Sequence, residues 1–231
     1  IAFAAVGERM TGPQLQAFAE KLGLAGTVGW RGLSGIDGRA VVQLPEEEPS
    51  RLFAPDSPLI DGGVLAQTAI GQRDARLTPL AAANWMATLL RGGPAAAPRA
   101  ATSLRAADGV ALDRYKAAIV PGTRAALSPA VTARLRRMLE KVAEEGGTGA
   151  ALAKARWKLA GKSGTAEDVD RGRPVVHQWF VGYGPADRPR YAVAVLAASR
   201  PPDSRHLATA LFGAVMDALA EAEENMQRAA H

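Results

Sequence analysis

Apolar positions Leu15, Phe18, Ala19 and Leu22 recur at i, i+3, i+4 and i+7 behind Gly12-Pro13, and predict a short helix that stops at Gly23. Gly26 to Pro49 is Gly-rich and holds one alternating run, Ala40 to Leu44, which predicts a loop with a short strand; Glu46, Glu47 and Glu48 read as a solvated acidic turn. Thr78-Pro79 opens a second helix, with a capping hydroxyl and a first-turn proline. Its face is Leu80, Ala83, Ala87 and Leu90, and Gly92-Gly93 ends it. Residues 94–127 have no strong period and predict irregular structure with a hairpin. Ser128-Pro129 repeats the cap-plus-proline device, and Val131, Leu135, Met138, Leu139 and Val142 predict an amphipathic helix to about Glu145. Gly146-Gly147-Thr148-Gly149 terminates it.

Beyond that point the period changes. Trp157 to Glu167, Gln178 to Gly184 and Arg190 to Ser199 read as three strands. Turn-forming runs separate them, Asp170 to Pro174 and Pro185 to Pro189, and links this short imply antiparallel neighbours. The third run is apolar from Tyr191 to Ala198, the pattern of a central strand covered on both faces. Leu207, Leu211, Val215 and Leu219 then predict a long helix after Ser204 that packs across the strands, with a polar tail, 220–231, that frays. The fold class is α+β: helices, then an antiparallel meander, then a C-terminal helix on the sheet, with no repeat or linker.

Composition narrows the function classes. The 231 residues are 48% hydrophobic and 22% charged, enough for a sizeable core. The absence of Cys excludes disulfides, a thiolate metal site and a Cys nucleophile. His177, His206 and His231 lie far apart, so no metal is expected, and nothing calls for a cofactor. The longest apolar run is eight residues, against the ~20 of a membrane helix. The opening Ile1 to Val6 has no basic flank or cleavage site and no initiating Met, which suggests a piece of something longer. The net charge of +5 comes from scattered arginines with few aromatics, which argues against a nucleic-acid groove. The densest group, Arg134, Arg136 and Arg137, is matched by Glu140, Lys141, Glu144 and Glu145 and reads as a solvated helix face.

The window that carries chemistry is Gly161-Lys162-Ser163-Gly164-Thr165-Ala166-Glu167. A phosphate-binding loop would need glycine where Arg156 stands and a helix where strands follow, so that reading fails. An ordinary turn is one remaining reading. The other is a substrate strand: Lys162 brings positive charge, the Ser163 and Thr165 hydroxyls fall on one face at i and i+2, and both can grip one carboxylate. Gly164 between them lets a substrate backbone approach, and such a strand can take an extended peptide as a neighbour.

This window does not stand alone. Together with Gly147-Thr148-Gly149, His177 to Tyr183 and Ala192 to Leu196, it resembles the C-terminal half of a penicillin-binding protein transpeptidase domain. Ile70-Gly71-Gln72, Thr78-Pro79-Leu80 and Gly92-Gly93 resemble the helix-start signature of the same family, and Ala2 to Gly23 is similar to the stretch after its second motif. One departure is Arg73, where the family usually has a second glycine after Gly-Gln. A larger one is the nucleophile. None of the eight serines has Lys three residues on, and none has Asn two residues on, so Ser-x-x-Lys and Ser-x-Asn are both missing from these residues. Residues 1–231 therefore resemble the C-terminal portion of a single such domain, an incomplete penicillin-binding protein or serine β-lactamase-like fold.

The resemblance implies acyl transfer at the extracytoplasmic face of a bacterial membrane, attached through a part outside this chain. The partners implied are a peptidoglycan stem peptide, β-lactams and the rest of the same transpeptidase domain. By the same resemblance, Lys162 and Thr165 are catalytic, Thr165 through its backbone N–H as an oxyanion donor, and Ser163, Gly164 and Thr165 bind substrate. A non-catalytic penicillin-binding or sensor module, or a β-lactamase or D,D-carboxypeptidase of the same fold, stays open as an alternative. His177 reads as structural, Trp179 and Phe180 as core and groove wall, and Trp30, Trp85 and Trp157 as packing residues.

Overall fold

The computed structural model describes residues 2–28, 33–34, 40–42, 48–55, 61–114, 118–120, 123, 127–200 and 206–230. They divide into two compact units: Ile1–Ala69, Arg73–Thr88 and Gly93–Ala126 make one, and Ile70–Gln72, Leu89–Gly92 and Leu127–His231 the other. Expectations for Trp30, for Gln43-Leu44 and Glu46-Glu47, for a helix boundary at Ser204 and for His231 fall outside the described residues.

In the first unit α1 (Ala2–Glu8) lies against α3 (Gly62–Ala69). The approach is close because Gly7 has no Cβ; one built there would stand 2.6 Å from the Ala69 Cβ and from the Leu65 carbonyl oxygen. Between them, α2 (Gly12–Leu22) carries the expected stop: Thr11 and Gln14 form a capping box and Gly23 turns left-handed at φ 73°. The short strand at Ala40–Val42 (β2) pairs with Leu33–Ser34 (β1). Thr78 caps α4 (Pro79–Arg91), its hydroxyl accepting from the Ala81 N–H. The irregular stretch contains the expected hairpin, β3 (Ser103–Arg105) against β4 (Ala111–Arg114).

The second unit holds the sheet. Ser128 caps α5 (Pro129–Ala143), a 3-10 turn spans Ala150–Lys154, and three antiparallel strands follow: β5 (Ala160–Asp170), β6 (Arg173–Gly184) and β7 (Tyr191–Ser199), in the order β5-β6-β7. Helix α6 (Leu207–Ala229) packs across β6 and β7, as expected, but through the adjoining face of Ala208, Phe212 and Met216 with Leu219, while Leu207, Leu211 and Val215 are exposed. Phe212 meets Phe180 at a ring separation of 4.6 Å, and these two with Leu152, Leu159 and Ala197 form the core. Gln178 ties sheet to helix: its Oε1 accepts from the first amide of α6, at Leu207, and its Nε2 donates to Ser199. The segment expected to fray continues α6 as helix to Ala229, and Glu223 accepts a 2.6 Å hydrogen bond from Tyr191.

Two expectations need correction. The strands reach further than the turn residues suggested: β5 and β6 join through Arg171 (φ 48°) and Gly172 (φ 75°) alone, a left-handed pair of the kind that matches strand twist, so Pro174 and His177 belong to β6. And β7, expected at the centre, flanks the sheet; among the described residues β6 is the middle strand. Its face away from α6 is Ala192, Ala194, Leu196 and Ala198, of which Leu196 and Ala198 are exposed. Alanine counts as apolar along the chain while losing little when exposed, so an alanine-rich face imitates a buried one.

Candidate functional site

The Lys162–Thr165 window lies in the first half of β5, which has no strand beyond it among the described residues. It is a strand and neither a turn nor a helix start. Gly161 lets it form: a Cβ there would stand 2.5 Å from the Phe180 ring, 2.7 Å from the Val181 carbonyl oxygen and 2.8 Å from Gly182. The strand is thereby pressed onto the fully buried Phe180. Lys162, Gly164 and Thr165 are exposed and Ser163 is half-buried.

Behind Ser163 stands the loop that ends α5. The Gly147 N–H donates to the Glu144 carbonyl and the Gly149 N–H to that of Val142, so the loop folds back over the last turn of the helix. A side chain at Gly147 would run into the Val142 carbonyl oxygen. This fold-back sets the exposed Thr148 against β5, its Oγ1 3.0 Å from the Ser163 Oγ. Ser163 and Thr165 share a face at i and i+2, so three hydroxyls gather on one side of the strand.

The free edge of β5 is also arranged. The Thr165 carbonyl turns away from β6 and accepts from Nε2 of Gln72 at 3.1 Å; the Ser163 carbonyl accepts from the Lys162 ammonium. In an antiparallel ladder the N–H and C=O of one residue point to the same side. The Ser163 and Thr165 N–H groups therefore also face the free edge. Gly164 faces Trp179 on β6 and is open on its other side; a Cβ there would meet only Trp179, at 3.5 Å. Sequence reasoning missed Thr148 and Gln72 as neighbours of this strand. Both stand in the glycine-flanked runs that carried the family resemblance, yet no local pattern reveals contacts 15 and 93 residues apart.

Gln72 sits in a turn bounded by two left-handed residues, Gly71 at φ 78° and Arg73 at φ 65°. Arg73 thus takes the conformation that a glycine would take there. Among the other singled-out residues, His177 is half-buried in mid-strand and Trp179 half-buried beside Gly164. Trp157 stacks on Tyr191 at 5.8 Å with Arg190 over its ring. The α5 charges meet partners at the surface: Lys158 binds Glu140 at 2.8 Å, which raises the lysine above its ordinary value, and Lys141 lies 3.9 Å from Glu144. Among the described residues no three His, Cys, Asp or Glu side chains cluster as a metal site requires.

Residues 14–217 match the model of the penicillin binding protein transpeptidase domain. A peptidoglycan D,D-transpeptidase PbpA of Mycobacterium tuberculosis is 36% identical over 143 residues, 60% of this chain and 28% of the relative; that of Mycolicibacterium smegmatis is 37% identical over the same shares. The matched stretch is thus less than a third of those proteins. The imipenem acyl-enzyme structure of penicillin-binding protein A from M. tuberculosis superposes with a TM-score of 0.67 at 27% identity, over 94% of this chain and 44% of the other.

Proposed function

The chain belongs to the penicillin-binding protein transpeptidase domain family, and from that premise we propose that it is the C-terminal portion of one such domain and supplies the strand that receives the acyl donor in peptidoglycan crosslinking. The observation that carries this reading is the exposed edge at Lys162-Ser163-Gly164-Thr165, with its hydroxyls on one face and its amides turned outward. In this reading the Ser163 and Thr165 hydroxyls hold the terminal carboxylate of a D-Ala-D-Ala stem peptide or of a β-lactam, and Thr148 fixes the Ser163 rotor. The Thr165 N–H donates to the carbonyl under attack, and Lys162 adds positive potential. Gly164 leaves room for the peptide backbone.

The attacking serine comes from outside these 231 residues, which hold no Ser-x-x-Lys. It forms an ester with the penultimate residue and expels the terminal D-Ala; an amine of a second stem peptide then displaces the serine. The site works at the extracytoplasmic face of the membrane, where the polymer is. No described helix is long and apolar enough to cross a membrane.

The test uses the chain as it stands. It should take up no covalent label from a fluorescent penicillin, and should bind N-acyl-D-Ala-D-Ala weakly, with dissociation constants of roughly 1 mM. Thr165→Val keeps the N–H and the shape and removes one charge-assisted hydrogen bond of about 1.5–3 kcal/mol. It should weaken binding at least tenfold without moving the melting temperature. Equal binding by parent and variant, or by a peptide amidated at its C-terminus, contradicts the carboxylate cradle.

A further inference from the structure

Two neighbouring outward carbonyls of β5, those of Ser163 and Thr165, are occupied, and by donors of different kinds. The Ser163 carbonyl takes the Lys162 ammonium, a group from its own strand. The Thr165 carbonyl takes the Gln72 carboxamide, from a segment 93 residues away in the chain. Unpaired edge groups attract other strands, so side-chain donors on them keep an exposed edge from pairing at random. A carboxamide N–H is also the closest side-chain equivalent of a peptide N–H: planar, neutral and a donor at the same distance.

Antiparallel pairing says which substrate group needs that acceptor. If the Thr165 N–H donates to the carbonyl of the penultimate residue, the two residues form a hydrogen-bonded pair, and such a pair exchanges both bonds. The N–H of the penultimate residue then donates to the Thr165 carbonyl, the atom Gln72 holds. We propose that Gln72 is a displaceable stand-in for this substrate N–H: it occupies the Thr165 carbonyl in the unliganded protein, and an acyl donor must bring an N–H of its own to take the place. Displacing Gln72 therefore weakens the binding of amide-bearing donors and leaves donors lacking the N–H unaffected. The turn is built to hold it, since Arg73 keeps a left-handed backbone, with its carbonyl accepting from Arg76 at 2.8 Å and its Nε 3.2 Å from Asp74.

This inference rests on the reading of β5 as the acyl-donor strand, and one titration separates the two. Two ligands are compared by 1H–15N NMR on the parent chain, Gln72→Ala and Gln72→Met: N-acyl-D-Ala-D-Ala, and an ester analogue with oxygen in place of the penultimate N–H. The amide ligand should bind both variants roughly three- to tenfold more tightly than it binds the parent. The ester analogue should bind all three chains alike. In the parent, the Gln72 side-chain signals should move as the amide ligand binds. Unchanged or weaker amide binding to the variants, or an equal gain for both ligands, overturns the stand-in and leaves the strand reading intact. Loss of carboxylate-dependent binding for both ligands in every chain overturns the strand reading, and the stand-in with it.

Discussion

The two halves of β5 belong to one strand and differ in almost everything else. From Ala160 to Thr165 the strand presses on Phe180, has Thr148 behind it, and has the outward carbonyls of Ser163 and Thr165 met by Lys162 and Gln72. From Ala166 to Asp170 it carries Glu167, Asp168, Val169 and Asp170, mostly exposed, and ends in a two-residue turn. Both halves pair with β6 in unbroken register. Strand pairing alone therefore does not distinguish the two halves. Glycine at Gly161 and Gly164, hydroxyls on one face and a rigid support behind them do, and only the first half has all three.

The largest expected effect lies within that half, between its two glycines. Gly161→Ala should destabilise the second unit by about 3 kcal/mol, the upper end of overpacking, because two of the three atoms it meets are backbone. Urea unfolding of the chain reads this as a lower midpoint. Gly164→Ala meets only Trp179, at an ordinary contact distance, and should leave stability within about 0.5 kcal/mol. It should nevertheless weaken D-Ala-D-Ala binding roughly tenfold, about 1.4 kcal/mol, because the new methyl stands where the peptide backbone lies. If both glycines affect only stability, or both only binding, the division of labour is wrong.

The smallest effect belongs to the far end. Arg171 holds a left-handed backbone that disfavours a long side chain. Arg171→Asn should stabilise the chain by roughly 0.5–1 kcal/mol, read as a higher melting temperature, and leave peptide affinity unchanged. A change in affinity would give the tip a role in the site.

How much of this the chain announces in advance depends on the distance over which each feature is encoded. Thr78-Pro79 and Ser128-Pro129 mark helix starts because a cap is a local hydrogen bond, and both helices begin there. Lys162 to Thr165 is legible as a strand with one-sided hydroxyls because side-chain alternation needs only the neighbours. Arg171-Gly172 reads as part of a wider turn because a left-handed arginine is the unfavoured choice and Pro174 reads as a breaker. The centre-strand expectation for Tyr191–Ser199 failed because alanine does not reveal which face is buried. The Gln72–Thr165 and Thr148–Ser163 bonds close only when separate segments fold together, so they are visible in the structure alone.

The most direct test of the central claim is a residue-resolved map of where an acyl donor touches the chain. In a 1H–15N NMR titration with N-acyl-D-Ala-D-Ala, the largest shifts should fall on the amides of Ser163, Gly164 and Thr165, on Thr148 and on the Gln72 side chain. Glu167 to Arg173 and the length of β7 should stay still. Shifts centred on the hairpin tip or on β7, with the first half of β5 unmoved, would contradict the account.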